Sequence, residues 1–238
     1  MANLEDLPIR NDLKGRKPYG APQLAVPVAL NVNENTHRIP EAVAVDIIGR
    51  LAAAVLDINR YPDREFLSLR TALAKYLGAE LEAENIWAAN GSNEVLQHIF
   101  QAFGGPGRIS LGFSPTYSMY GLIALGTGTT YIDAPRLDRY ELSPELIRSK
   151  ILEHKPNIVM LCSPNNPTGT PLSLSCVEAA YEAVTEATGG IVVVDEAYAE
   201  FGGNTEVSAV NLLAGRERLL ISRTMSKAFA FAGARVGY

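Results

Sequence analysis

At 238 residues, 47% of them hydrophobic, the chain is long enough to bury a substantial core and exceeds the commonest single-domain size. A net charge of −5 argues against a nucleic-acid binder, and two cysteines, Cys162 and Cys176, are too few for a disulfide framework. No apolar run approaches the roughly 20 residues that cross a bilayer, and Met1-Ala2-Asn3-Leu4-Glu5-Asp6 lacks the basic-then-apolar order of a secretory leader, so the cytoplasm is the expected compartment.

Residues 1–37, rich in Pro, Gly, Asn and Arg, read as an extended N-terminal arm that ties down on another surface. Residues 38–238 read as one larger domain. Apolar positions at helical spacing predict a helix from Pro40 to Leu56 and a second from Glu65 to Leu77, ended by Gly78. Strands and helices then alternate: strand 86–90, helix 93–103, strand 108–112, helix 117–125, strand 129–133, helix 143–153, strand 157–162, helix 173–187, strand 190–194 and strand 218–222. Such alternation specifies an α/β fold, a mostly parallel sheet sandwiched by helices. The three histidines, His37, His98 and His154, are scattered without metal-ligand spacing, and His98 reads as a packed or surface side chain.

Four places along this alternation carry chemistry. At Gly91-Ser92-Asn93 a glycine lets the chain turn sharply between strand and helix, and the helix start offers free N–H groups to an anion, although an ordinary strand-to-helix turn looks the same. The run Ile158 to Cys162 breaks into Ser163-Pro164-Asn165-Asn166-Pro167-Thr168-Gly169, whose prolines fix the backbone and whose Asn166 offers an amide. Ile191-Val192-Val193-Val194 runs directly into Asp195, which places a carboxylate at the carboxyl end of a buried strand, where open α/β sheets bind ligands; the same aspartate could simply cap the next element. Finally, Thr224, Ser226, Lys227 and Arg235 bring two hydroxyls, an amine and a guanidinium into one short span. The amine can condense with an aldehyde, and the other three can hold a phosphate. Taken alone, such a lysine beside a helix start also reads as a surface lysine.

In register, these motifs resemble the fold-type I aminotransferases that use pyridoxal phosphate, most closely the histidinol-phosphate aminotransferase family. The marks are Asn33-Glu34-Asn35, Arg60-Tyr61-Pro62, Ala89 to Glu94, Pro115-Thr116-Tyr117, Pro164 to Gly169, Val194 to Tyr198 and Ser222 to Gly233. The resemblance implies an aspartate aminotransferase-like large domain with pyridoxal 5'-phosphate as cofactor. Lys227 would anchor the cofactor and shuttle the substrate's proton, Asp195 would pair with the ring nitrogen, and Asn166 and Tyr198 would contact the ring's phenolic oxygen. Tyr117 would stack on the ring. Ser92, Asn93, Thr224, Ser226 and Arg235 would bind the phosphate, with Tyr61 reaching it from the neighbouring subunit of a homodimer whose active sites are shared. Tyr19 and Asn33 would touch the substrate.

The implied reaction converts L-histidinol phosphate and 2-oxoglutarate into imidazole-acetol phosphate and L-glutamate in histidine biosynthesis. The same cofactor motifs also suit an aromatic amino-acid aminotransferase or a threonine-phosphate decarboxylase-type enzyme, and a cofactor-sensing regulator is a further reading that lacks a DNA-binding module here. The family continues beyond Tyr238 with another strand and a small C-terminal domain, so the expectation is a large domain incomplete at its C-terminal end, with weak turnover or poor solubility.

Overall fold

A computed structural model, which describes residues 6–16, 20, 22, 24–203 and 208–238, gathers the branched-apolar runs into one sheet. Its strands are β1 (Ile109–Ser114), β2 (Thr130–Pro135), β3 (Ile158–Cys162), β4 (Ile191–Asp195) and β5 (Leu219–Ser222). All pairings are parallel, in the order β2-β1-β3-β4-β5. β3 and β4 are buried along their whole length, which is why they read as unbroken runs of Ile, Val, Met and Leu rather than as alternating patterns.

Helices cover both faces. α3 (Ser92–Phe103) and α4 (Met119–Thr127) pack through Leu96, Phe100, Tyr120 and Ile123 onto Ile158, Met160, Cys162 and Val193. α5 (Pro144–His154) and α6 (Leu174–Ala187) pack through Ile147, Ile151, Val177 and Val184 onto Val159, Leu161, Val192 and Val194. The register sets Cys162 beside Asp195 and Asp195 beside Ser222, so three polar side chains line up at the carboxyl ends of neighbouring strands. Strand order reverses between β1 and β3, the kind of switch point at which open α/β sheets bind ligands.

The predicted strand 86–90 is a correction. Only Ala89 pairs, exchanging both backbone hydrogen bonds with Gly237 at 2.9 and 3.0 Å. An apolar cavity of about 130 Å³ is lined by Ile86, Trp87, Leu220, Ile221 and Tyr238 among others. Ile86 and Ala88 instead bury against α2 (Leu67–Leu77) and Tyr238. α2 ends at Gly78, whose φ of 69° suits glycine.

α1 (Glu41–Val55) follows Pro40 and buries none of its residues, leaving Val45, Ile48, Leu51 and Val55 more than half exposed. The contacts divide the chain into two compact units, residues 1–34 and residues 35–238. The first holds a short 3-10 turn at Asn11–Leu13, an Arg10–Asp12 ion pair at 2.7 Å, and an exposed alternation of Leu24, Val26, Val28, Leu30 and Val32. Among the described residues, no helix is long and apolar enough to cross a membrane.

Candidate active site

The start of α3 and the segment after β5 together build an anion cradle. Gly91 holds the N-cap position at φ 90° with no side chain to cap the first turn, so the leading N–H groups of α3 are left for an external acceptor. Arg235 lies across that opening: its guanidinium donates to Asn90 O at 3.3 Å, Ala232 O at 3.1 Å and Ser226 Oγ at 3.2 Å. Thr224 Oγ1 is 2.9 Å from Ser226 Oγ and accepts from Ser226 N–H at 3.1 Å. Among the described residues no carboxylate pairs with Arg235, so the guanidinium keeps its charge available for an anion. Two glycines make the cradle possible. A Cβ on Gly91 would stand 2.2 Å from Arg235 Nη2, and one on Gly237 would stand 2.2 Å from both Gly91 C and Ser92 N.

The carboxylate stands at the end of β4. Asp195 is 2% exposed and accepts from Tyr120 Oη at 2.8 Å and from Ala197 N–H at 3.2 Å. It therefore caps a turn as well as facing the crevice, and a 3-10 turn (Ala199–Phe201) follows in place of an α-helix. Burial pushes its carboxyl up to about 6, against the pull of the Tyr120 and Ala197 hydrogen bonds, with the Glu196 charge adding to the rise. Burial likewise drives the Cys162 thiol up to about 12. Tyr120 also meets Tyr117 edge-on, with ring centroids 5.6 Å apart at 85°, and Tyr117 Oη donates to Asn93 Oδ1 at 3.1 Å. A chain of contacts thus runs from the anion cradle to the carboxylate.

Lys227 Nζ lies 5.8 Å from the centroid of the Tyr198 ring. Asn166 Nδ2 donates to Tyr198 Oη at 3.5 Å, which brings together the amide from the loop after β3 and the phenol from the loop after β4. Asn35 clamps the lysine's backbone: its Nδ2 donates to Lys227 O at 3.3 Å and Ala228 O at 3.2 Å, while its Oδ1 accepts from His37 N–H at 2.9 Å.

Of the residues singled out in the sequence, Asn93, Tyr117 and Asp195 are joined through Tyr120, Asn166, Tyr198 and Lys227 form a second group, and Thr224, Ser226 and Arg235 a third, with Ser92 opening α3. Tyr61 does not join them within the chain and stands fully exposed. Tyr19 lies outside the described residues, and Asn33 belongs to the first unit, at φ 54°. His98 is a packed histidine, accepting from Trp87 Nε1 at 3.1 Å. Sequence reasoning missed Tyr120 and the buried Arg223–Glu196 pair (2.7 Å), which ties the ends of β4 and β5, and it marked Asn35 without foreseeing its contact with the lysine's backbone. A Tyr-x-x-Tyr spacing at a helix start, which puts 117 and 120 on one face, is the signal that could have flagged Tyr120.

Fold and site together define a class. Residues 26–238 match the family described as aminotransferase class I and II, and the chain belongs to that family. It is similar to the histidinol-phosphate aminotransferase of Paenarthrobacter aurescens, at 61% identity over 100% of this chain and 64% of the relative. The enzyme of that name from Thermobifida fusca is 53% identical over 99% of this chain and 63% of the relative. The crystal structure of histidinol-phosphate aminotransferase from Sinorhizobium meliloti in complex with pyridoxal-5'-phosphate superimposes with a TM-score of 0.76 at 27% identity, covering 87% of this chain and 54% of that one. The chain thus spans a little under two thirds of the length of the curated relatives it matches.

Proposed function

We propose that the protein is a pyridoxal 5'-phosphate-dependent aminotransferase that takes the amino group of L-histidinol phosphate to 2-oxoglutarate, giving imidazole-acetol phosphate and L-glutamate. The observation that supports this reading is a buried carboxylate at the end of β4, joined through Tyr120 and Tyr117 to the start of α3, where an arginine pairs with no carboxylate among the described residues. That donor set fits the cofactor, and the missing Cβ at Gly91 leaves room for the Arg235 guanidinium beside the α3 N-terminus. The name shared by the relatives at 61% and 53% identity supports the choice of amino donor.

When bound, pyridoxal phosphate supplies an aldehyde for an amine and a cationic ring that accepts the electron pair of a departing α-proton. The chain's own residues do the rest. Arg235, Ser226, Thr224 and the α3 N-terminus bind the phosphate by charge-assisted hydrogen bonds. Asp195 would hold the ring nitrogen's proton by charge pairing, Asn166 and Tyr198 would contact the ring's phenolic oxygen, and Tyr117 would stack on the ring. Lys227 Nζ would anchor the cofactor and hold and move the substrate's proton as a general base and acid.

A homodimer completes the reading. α1 is an apolar helix with no buried residue, and Tyr61 is fully exposed beyond it, consistent with a second copy covering α1 and receiving Tyr61 near its phosphate. Both cysteines are free and buried, which suits the reducing cytoplasm.

The test is an absorbance titration with pyridoxal phosphate, followed by histidinol phosphate, phenylalanine or phosphothreonine. The expected result is a near-visible imine band that bleaches with histidinol phosphate, together with a pyridoxyl group on Lys227 after borohydride reduction and peptide mapping. Bleaching with phenylalanine alone reassigns the donor, and an unmodified Lys227 overturns the cofactor reading itself.

A further inference from the structure

Resting on the proposed cofactor site and going beyond it, we propose that Tyr120 is the positioning residue of the ring slot, its hydroxyl fixing the Asp195 carboxylate while its ring braces Tyr117. Tyr120 is fully buried on α4 and has no route to a ligand itself. Besides its contact with Cys162, Tyr120 meets the two residues that would touch the ring from different directions. Oη donates to Asp195 Oδ2 at 2.8 Å, and the ring meets Tyr117 edge-on at 5.6 Å. One rigid side chain, held by a packed helix, therefore sets the distance between a ring-covering phenol and a ring-pairing carboxylate.

The surroundings leave Asp195 dependent on this contact. On β3 its register neighbour is Cys162, whose thiol burial keeps neutral; on β5 it is Ser222. Glu196, next in the chain, adds negative charge but is itself engaged by Arg223. Arg136 is a further charge of that region; it donates to Phe113 O, Tyr140 O and Asn165 Oδ1. Besides Tyr120, the hydrogen bond to Asp195 comes from the Ala197 N–H. A buried carboxylate stays charged only to the extent that donors compensate its lost hydration, so removing the phenol shifts the balance toward the neutral acid. A neutral acid at this place no longer holds the ring nitrogen's proton by charge.

Tyr120→Phe removes one oxygen and keeps the packed ring, so it tests the hydrogen bond in a folded chain. In the cofactor-free protein, infrared difference spectroscopy across pH, assigned with Asp195→Asn, should show the Asp195 carboxyl titrating about one unit higher in Tyr120→Phe, and the pyridoxal phosphate dissociation constant should rise about tenfold. Tyr120→Leu, which also loses the edge-on contact, should weaken cofactor retention further. An Asp195 midpoint unmoved in Tyr120→Phe, with unchanged cofactor affinity, overturns the proposal even if the melting temperature falls, since a purely structural tyrosine would do that. The infrared titration needs no cofactor. Failure of wild-type protein to take up a pyridoxyl group at Lys227 would sink the cofactor reading, while the Tyr120–Asp195 coupling would still be decided by its own measurement.

Discussion

At the scale of single residues, the anion cradle depends on atoms that are not there. Gly91 occupies φ 90°, a region an L side chain enters only with strain, and its missing Cβ leaves the space that Arg235 Nη2 fills at 2.2 Å from the ideal Cβ position. Gly91→Ala therefore forces the guanidinium off the α3 N-terminus and strains the turn at once. The expected outcome is a fall of at least tenfold in affinity for pyridoxal phosphate, and for inorganic phosphate as a simpler probe, by isothermal calorimetry. Melting temperature should fall by only a few degrees, because Arg235 is exposed and its loss leaves no buried charge unpaired. Retained phosphate affinity in the alanine variant would mean that the cradle does not hold anions by this geometry.

Residue identity also decides what could be read ahead of the structure. Thr224, Ser226 and Arg235 announce themselves because they sit within one short span. Asp195 does so because it ends a run of branched residues. Tyr120 and Asn35 do not, since their partners lie 75 and about 190 positions away and only the fold brings them into contact.

At the scale of elements, the buried parallel strands were the most legible parts of the chain. β3 and β4 are continuous apolar runs because both faces are covered, and their observed limits differ from the expected ones by about one residue. The segment 86–90 differs for the opposite reason: a strand is defined by a neighbour, and only Ala89 finds one, in Gly237, which composition cannot reveal. α1 was legible as a helix but not as an exposed one. Its Ile48, Leu51 and Val55 spend apolar surface on water, with Leu56 and Ile58 continuing the patch at about 80% exposure. An apolar patch of this kind is the surface on which the proposed homodimer rests. Replacing Ile48 and Leu51 together with glutamate should convert a dimer into monomers in sedimentation velocity, with little change in circular dichroism, because neither side chain packs inside its own chain. A wild-type chain that stays monomeric at tens of micromolar would remove the basis for a shared active site and for any role of Tyr61 across it.

At the scale of the whole molecule, the site is held at a cost in stability that pH can expose. Asp195 sits in the core with its carboxyl raised from 3.8 to about 6, chiefly by burial, so in the cofactor-free protein its charged form is disfavoured relative to the unfolded chain. The sign follows directly. Its contribution is fully present below the unfolded value near 4 and is lost as pH climbs through 6, a change on the order of 3 kcal/mol for a shift of about two units. Asp195→Asn keeps an acceptor for Tyr120 and removes the charge. Urea denaturation of the cofactor-free proteins at pH 5 and pH 8 should show the variant gaining on wild type as pH rises, becoming the more stable of the two at pH 8. Other titrating groups cancel in that comparison because both proteins carry them. Saturating pyridoxal phosphate should reverse the order at pH 8, since a ligand stabilises the state it binds more tightly and a cationic ring favours the charged carboxylate. A buried acid that destabilises the empty protein and stabilises the loaded one is the thermodynamic mark of a group kept for binding rather than for folding. If Asp195→Asn were instead the less stable protein at pH 8 without cofactor, Asp195 would be a structural cap for Ala197 and Tyr120, and its place at the end of β4 would be a matter of packing alone.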